Sequence, residues 1–277
     1  MKYGVTSAYV LNLEVVLPDG EIIWTGANTL KNSTGYNLTQ LFVGSEGTLG
    51  VVTKIVVRLI PYPKFSYTLL VPFHSSDLAC AAVEKIFRSG VTPSGLEFME
   101  RAAIDWALKY NENVNLPTDD KIEAHLLIEV DGHDNDAVMR EAEEISSVVD
   151  SNGAVEVLFA ETEKERDAIW KLRRSVGEAV KSHSIYKEED TVVPRAKLPQ
   201  LLRAVKSIGS KYCFESVCYG HAGDGNLHVN ILKGDMTDNQ WDGEHLKSGI
   251  REIFEQVKLM GGTISGEHGI GLSLIHI

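Results

Sequence analysis

The sequence predicts an α+β fold in which a short β-rich part precedes a ferredoxin-like domain. Three observations carry this prediction. A hairpin pattern and a second β-rich run occupy residues 7–60. Residues 67–160 follow the order β-α-β, β-α-β, which is that of a ferredoxin-like split unit. The length of 277 residues suggests about two domains, each able to bury a core.

The β-rich part begins with a hairpin in residues 7–25, whose two strands flank the turn Pro18-Asp19-Gly20. The glycine-rich loop Gly44–Gly50 opens into the β-rich run 51–60. The pattern Pro61-x-Pro63 then indicates a linker to the second domain.

In the second domain, strand patterns alternate with amphipathic helix patterns. Strands are predicted near 67–71, 96–98, 124–130 and 155–159. Ser75 or Ser76 can cap a helix that runs to about Phe87. The further predicted helices cover about 100–110, 135–150, 162–182, 197–209 and 242–259. Two more strands flank the glycine-rich segment 220–225, and no internal repeat is visible.

Composition excludes several classes of protein. Lys and Arg number 27 against 39 Asp and Glu, so the net charge is −12 and the chain is a poor candidate for binding nucleic acid. No apolar run approaches the ~18 residues of a membrane span, and no secretory signal is visible. An odd cysteine count without a C-x-x-C pattern indicates a reducing, cytoplasmic compartment. Cys213 and Cys218 are expected to be buried thiols.

The strongest candidate site is the stretch from His221 to Asn230, His-Ala-Gly-Asp-Gly-Asn-Leu-His-Val-Asn. Its glycines disfavour a helix, so we expect a loop that runs into a strand. A loop that folds back lets the imidazoles of His221 and His228 converge, and Asn230 shares a strand face with His228. Two imidazoles and an oxygen ligand suit Zn²⁺ or Mn²⁺. A polar loop with two surface histidines is the alternative.

A second candidate is Ser-Gly-Glu-His-Gly-Ile-Gly at residues 265–271. Glu267 offers a third metal ligand, which leaves open the positions that a catalytic site requires. His268 would then lie beside the metal, where an imidazole suits proton transfer near neutral pH. A helix C-terminus with turn glycines explains the pattern equally well.

Two weaker patterns remain. Arg173, in a helix, and Lys187 can clamp a carboxylate, although solvated cations paired with nearby acids are the favoured interpretation of the residues alone. The backbone N–H groups of Gly44–Gly50 can approach a phosphate or a flat cofactor ring. A plain strand connector would have a similar sequence.

Together these segments resemble the flavin-linked D-2-hydroxyacid dehydrogenases of the vanillyl-alcohol oxidase superfamily, which include D-lactate dehydrogenase, D-2-hydroxyglutarate dehydrogenase and the flavoprotein subunit of glycolate oxidase. The resemblance rests on residues 44–53, 221–230 and 266–271, in that order, with support from Tyr186-Lys187. It implies a partial FAD-binding α/β subdomain at residues 1–62, a ferredoxin-like substrate (cap) domain at 63–260, and a return segment at 261–277.

The resemblance also implies roles for individual residues. His221, His228 and Glu267 match the family's metal ligands. Asn230 and His268 match residues at the substrate, with His268 as the base. Arg173 and Lys187 match cations that hold the substrate carboxylate. The positions expected along FAD are Gly44, Ser45, Glu46, Gly47, Thr48, Gly50, Val51 and Thr53.

These roles imply a reaction. The substrate chelates a divalent metal (Zn or Mn) through its carboxylate and 2-hydroxyl, and His268 takes the hydroxyl proton. Hydride then passes from Cα to FAD, giving a 2-oxo acid. The resemblance implies an electron acceptor among an iron–sulfur subunit, a quinone, a cytochrome and an electron-transfer flavoprotein, and it is compatible with a homodimer and with a location peripheral to the membrane.

The sequence also departs from the family pattern. Family members carry a further N-terminal segment with a glycine-rich pyrophosphate loop, so we expect the chain as given to be a fragment that binds FAD poorly. After Gly271 the tail Leu-Ser-Leu-Ile-His-Ile looks non-native. Gly177 stands where many relatives have Thr. The alternative functions are a flavin-free metal-binding module or hydrolase, and an inert fragment.

Overall fold

The computed structural model describes residues 1–111, 120–160 and 162–269. They form two units, one of residues 3–62 with Gly269 and one of residues 1–2 with 63–268. Each unit is described by itself. The last two residues of the second motif, Ile270 and Gly271, and the tail 272–277 lie outside the described residues.

The smaller unit is a three-stranded antiparallel sheet in the order β2-β1-β3. Its predicted hairpin forms β1 and β2, and the β-rich run after the glycine-rich loop forms β3. Leu13, Val15 and Phe42 make its core. Its elements are β1 (Val10–Val16), β2 (Ile22–Trp24), α1 (Leu38–Phe42) and β3 (Val51–Val57).

The larger unit contains the strands and helices that the alternating pattern predicts, with ends that differ from the predicted ones by a few residues. The α+β prediction is therefore confirmed. This unit also contains two elements that were not predicted, a strand at Tyr186–Val192 and a short helix at Asp238–Asp242. The first half comprises β4 (Phe65–Phe73), α2 (Ser76–Arg88), β5 (Gly95–Glu100), α3 (Arg101–Tyr110), β6 (Ala124–Gly132), α4 (Asn135–Asp150) and β7 (Leu158–Phe159). The second half comprises α5 (Glu163–His183), β8 (Tyr186–Val192), α6 (Leu198–Tyr212), β9 (Glu215–Gly220), β10 (Asn226–Leu232), α7 (Asp238–Asp242) and α8 (Glu244–Leu259).

One seven-stranded antiparallel sheet runs through this unit in the order β7-β4-β6-β5-β9-β10-β8. The first four strands have the order 4-1-3-2 of a ferredoxin-like unit, as the β-α-β pattern predicts. The remaining three have the order 2-3-1 of a second such unit, and Thr263 and Ser265 form bridges at the place of its fourth strand. The unit is thus a structural duplication joined at β5 and β9, which the sequence does not reveal.

Two hydrophobic cores lie on the two faces of the sheet. One packs under α2, α4, α6 and α8, and the other lies under α3 and α5. Strand β4 shows the alternation, since Leu69 and Val71 enter the first core and Leu70 enters the second. Among the described helices only α3 and α5 pack on the second face, and the polar residues of the candidate site belong to that face.

Cys218 is buried as expected, but the expectation for Cys213 is wrong, because that residue is exposed. Cys213 ends α6 in the left-handed conformation at φ 56°, before strand β9 begins. Among the described helices, none combines the length and the apolar character that crossing a membrane requires.

Candidate active site

Strand β10 supplies two of the predicted residues on one face. Leu227, Val229 and Ile231 enter the core under the four helices, so His228 and Asn230 point to the opposite face. Both are buried. The shared orientation that the spacing predicts is therefore present.

The loop before β10 folds back, as expected. A short 3₁₀ turn, Ala222–Asp224, is followed by Gly225 at φ 79°. A Cβ there would lie 1.9 Å from the carbonyl oxygen of Val193, so only glycine fits. The turn brings the ring centroids of His221 and His228 to 5.5 Å, with the rings nearly perpendicular at 80°.

Glu267 joins these two histidines. Its Oε1 lies 3.4 Å from Nε2 of His221, 3.6 Å from Nε2 of His228 and 3.8 Å from Nε2 of His268. The ring of His268 stacks on that of His228, with centroids 5.0 Å apart. Four side chains from two distant segments of the chain thus meet at one point.

The donors of His221, His228 and Glu267 fit a divalent cation. All three lie within 4.8 Å of one another. Ligands held tetrahedrally at about 2.1 Å from Zn²⁺ stand about 3.4 Å apart, close to the 3.4 Å and 3.6 Å that separate Glu267 Oε1 from the two imidazoles. Glu188, His228 and His268 form a second group within the same limit.

A buried ion pair lies behind His221. Glu97 Oε1 accepts a hydrogen bond from His221 Nδ1 at 2.8 Å, and its Oε2 accepts one from Arg173 Nε at 2.9 Å. Burial alone would raise the pKa of Glu97, but His221 and Arg173 outweigh it and lower that pKa. The hydrogen bond to Glu97 raises the pKa of His221. With Nδ1 as donor to Glu97, Nε2 of His221 is left to face Glu267.

A second buried carboxylate, Asp190, lies behind His228. Burial would raise its pKa, but backbone N–H groups of the 266–268 segment and the Asn226 amide outweigh burial and lower the pKa of Asp190 to about 2. Its Oδ1 is 3.5 Å from His228 Nδ1. Burial, against the attraction of Asp190, lowers the pKa of His228 to about 4, so this imidazole is neutral at pH 7 and available as a ligand.

The two predicted cations are not brought together. Arg173 is buried, not solvated: its Nη2 lies 2.7 Å from Glu97 Oε2 and its guanidinium packs over the Tyr219 ring. Lys187 pairs with Ile231, so it lies on the other face of the sheet, where Nζ donates to the Trp241 carbonyl at 2.9 Å. Strand alternation therefore separates Lys187 from the histidine cluster.

The positions expected along FAD belong to the smaller unit. Gly44 and Gly47 have φ of 85° and 77°, and nothing lies within 4 Å of where a Cβ would stand, so this side of the loop is open. Gly50 is instead required by packing, because a Cβ would lie 2.6 Å from Val15. Thr53 donates to Glu14 of β1 at 3.0 Å. Ser45, Glu46 and Thr48 complete the turn, and Val51 begins β3.

Sequence reasoning missed four residues of this cluster, Glu97, Glu188, Asp190 and Tyr219. Glu97 is the one charged residue within the apolar run Gly-Leu-Glu-Phe-Met, which is a signal that could have found it. Burial raises the pKa of Tyr219 to about 12, so its hydroxyl stays protonated, and it lies 3.5 Å from Glu188.

The comparisons with known proteins place the chain in a family. A family model described as FAD linked oxidases, C-terminal domain, matches residues 62–275, and the chain belongs to this family. It is 41% identical to the glycolate oxidase subunit GlcD of Bacillus subtilis over 98% of this chain and 57% of the relative. It is 35% identical to a D-lactate dehydrogenase of Anaerostipes hadrus over 98% of this chain and 58% of the relative.

The chain thus spans somewhat more than half the length of these curated relatives. Among solved structures it is similar to the 4-ethylphenol oxidase from Gulosibacter chungangensis, with a TM-score of 0.68 at 17% identity, over 95% of this chain and 58% of that chain. This likeness shows the fold. The resemblance seen in the sequence is confirmed at the level of the family.

Proposed function

We propose that this chain is the substrate-binding part of an FAD-dependent enzyme that oxidises a D-2-hydroxyacid, such as glycolate, D-lactate or D-2-hydroxyglutarate, to the 2-oxo acid. Family membership supports a redox function over the alternative of a flavin-free metal hydrolase. The observation that carries the proposal is the convergence of His221, His228, Glu267 and His268 at one point.

In this proposal His221, His228 and Glu267 hold a divalent cation, Zn²⁺ or Mn²⁺, and the open loop around Gly44 and Gly47 contributes to FAD binding. When bound, the cation lowers the pKa of the substrate hydroxyl and FAD accepts a hydride. Neutral His228 and the His221 tautomer set by Glu97 support the ligand assignment.

The remaining residues act on the substrate. His268 takes the proton of the 2-hydroxyl, which its place beside Glu267 supports. Arg173 supplies positive charge for the substrate carboxylate in a chain that is otherwise acidic. Asn230 orients the substrate from the same strand face as His228. Lys187 has no part in this proposed site, because strand alternation places it on the opposite face of the sheet, where Nζ donates to the Trp241 carbonyl.

The metal assignment can be tested on this chain. Equilibrium dialysis with Zn²⁺ or Mn²⁺ should give one ion per chain in the wild type and much weaker binding in His221→Ala and Glu267→Ala. His133→Ala, which changes an exposed histidine outside the cluster, is the control. Equal binding by all four proteins would remove the metal from the proposal.

The chain spans 57% of the Bacillus subtilis relative, so the reaction is tested in a protein of that relative's length. We propose to fuse this chain to the N-terminal portion of the Bacillus subtilis relative and to load the fusion with FAD. Anaerobic addition of glycolate, D-lactate or D-2-hydroxyglutarate should bleach the yellow absorbance, and His268→Gln should slow the bleaching by about 10²–10⁴-fold. A flavin that none of these acids reduces would refute the proposed activity.

The acceptor of the electrons is part of the same proposal. An iron–sulfur subunit, a quinone, a cytochrome or an electron-transfer flavoprotein would reoxidise the flavin, and a homodimer and a cytoplasmic location peripheral to the membrane remain predictions. Stopped-flow reoxidation with a soluble quinone and with ferricyanide separates two-electron from one-electron acceptors.

A further inference from the structure

The segment that carries Glu267 and His268 is anchored by a single side chain. Three successive backbone N–H groups donate to Oδ2 of Asp190: Gly266 at 2.8 Å, Glu267 at 2.6 Å and His268 at 2.9 Å. The N–H of Gly266 also donates to the backbone oxygen of Asp190 at 3.0 Å. A run of successive N–H groups around one carboxylate oxygen is an anion nest, here closed on a residue of the same chain.

The other oxygen of this carboxylate reaches the strand that bears His228. Asn226 Nδ2 donates to Oδ1 at 2.7 Å, and Nδ1 of His228 lies 3.5 Å from the same atom. This separation is longer than an ordinary hydrogen bond, but a proton on His228 Nδ1 would point at this oxygen and leave Nε2 directed at Glu267. Asp190 therefore touches both chain segments that contribute metal ligands.

The side chains at the end of the segment depend on their backbone for position. Glu267 and His268 are about half exposed, at 52% and 40% of their side-chain surface. In the described structure, Oε1 of Glu267 lies 3.4–3.8 Å from the Nε2 atoms of His221, His228 and His268, and each of these distances is longer than an ordinary hydrogen bond. Gly266 permits the approach, because a Cβ would lie 2.7 Å from Val192 and 2.9 Å from the Asn226 amide.

We propose that Asp190 is the positioning residue of the metal site: its carboxylate fixes the backbone of residues 266–268 and, through Asn226, the start of the strand that bears His228, and so sets the site's affinity for a divalent cation. This inference rests on the proposed function, because it takes His221, His228 and Glu267 as the ligands. Burying a carboxylate carries a desolvation cost, which the four hydrogen bonds to Asp190 offset. A site that needed only packing would not require a charged group there.

The test compares the full wild-type chain with Asp190→Asn and Asp190→Glu. The amide variant keeps the shape of the side chain but loses the charge and presents an NH₂ group to one set of donors. We expect Asp190→Asn to bind Co²⁺ about 10–100-fold more weakly, with a changed visible absorption spectrum. Asp235→Asn, which alters an exposed carboxylate in a surface turn, should bind Co²⁺ as the wild type does.

Amide hydrogen exchange provides a readout that needs no metal. In the wild type, the N–H groups of residues 266–268 should be protected, and in Asp190→Asn their protection should fall at least tenfold while the strands β4 and β6 stay protected. Asp190→Glu, which keeps the charge, should recover part of the protection and of the Co²⁺ affinity.

Each possible result either supports or refutes the positioning role of Asp190. Unchanged exchange at residues 266–268 or unchanged Co²⁺ affinity in Asp190→Asn would overturn the positioning role. Loss of protection throughout the sheet would also overturn it, because Asp190 would then be a residue of global stability. If the wild type takes up no Co²⁺, the metal assignment of the proposed function fails and the positioning role falls with it; intact Co²⁺ binding with an unaffected variant refutes Asp190 alone.

Discussion

Glu97 should be the most costly residue of the site to neutralise. It is 4% exposed, and its two oxygens accept hydrogen bonds from His221 Nδ1 and Arg173 Nε, while Arg173 itself is 7% exposed. Glu97→Gln keeps the shape and one acceptor oxygen but leaves the guanidinium buried without a counter-charge. Removing one partner of a buried pair costs about 3–5 kcal/mol, and the retained acceptor places the expected loss of stability at about 3 kcal/mol.

Urea unfolding measures this loss. For a unit of this size, about 3 kcal/mol corresponds to a fall in Tm of roughly 6–12 °C. Arg173→Met, alone and combined with Glu97→Gln, completes a double-mutant cycle, and we expect an interaction energy of about 2–3 kcal/mol. Glu215→Gln, an exposed residue of β9, is the control and should change the free energy of unfolding by less than about 0.5 kcal/mol.

The effect should also depend on pH. The folded protein holds the pKa of Glu97 below its ordinary value of 4.5, so the carboxylate stabilises the fold above that pH. As pH falls through the lowered pKa this stabilisation is lost, and the gap between wild type and Glu97→Gln should shrink. A variant within about 0.5 kcal/mol of the wild type at pH 7, or a gap that grows at low pH, would refute the reasoning.

Two further predictions concern single residues. Gly225→Ala should destabilise the larger unit by at least about 2 kcal/mol, because its φ is positive and the new Cβ meets the Val193 carbonyl; Gly90→Ala, with positive φ but open space, should cost only about 1 kcal/mol in the same thermal-unfolding assay. Burial raises the pKa of Glu189 to about 7, so the wild type loses stability as pH rises from 4.5 to 7. Glu189→Gln should therefore match the wild type at pH 4 and exceed it by about 2 kcal/mol at pH 8, and equal stability at pH 8 would contradict the shift.

Local pattern predicted most of the elements of this fold. The helix over 135–150 and the strand beginning at Ala124 were set by apolar periodicity and by turn residues, and both appear at those positions. The duplication was not predictable in this way, because it resides in strand order, and strand order depends on partners far apart in the chain. The join at β5 and β9 pairs Phe98 with Gly220, more than a hundred residues away.

The candidate site was likewise predictable only where local spacing determines it. His228 and Asn230 share a face because a strand alternates, and this follows from their spacing alone. Glu267 follows His228 by 39 residues, so the residues alone offered it as a third ligand only beside an equally good alternative, and the resemblance decided between the two. Asp190 was missed because nothing in Lys-Glu-Glu-Asp distinguishes one acid from the next until β8 is paired with β10. The same pairing turns Lys187 away from the site.

The segment of residues 263–267, which leads to Glu267, also affects solubility. Thr263 exchanges two backbone hydrogen bonds with Val192, and Ser265 bridges Asp190, along the outer side of β8. Outer strands with bare amide and carbonyl groups recruit other chains, and cells clear such molecules through chaperones and proteases. A mutation that frees this segment would therefore have two effects. It would abolish the proposed metal binding, and it would leave an unpaired strand edge on the molecule, so that degradation in the cell rises as binding is lost.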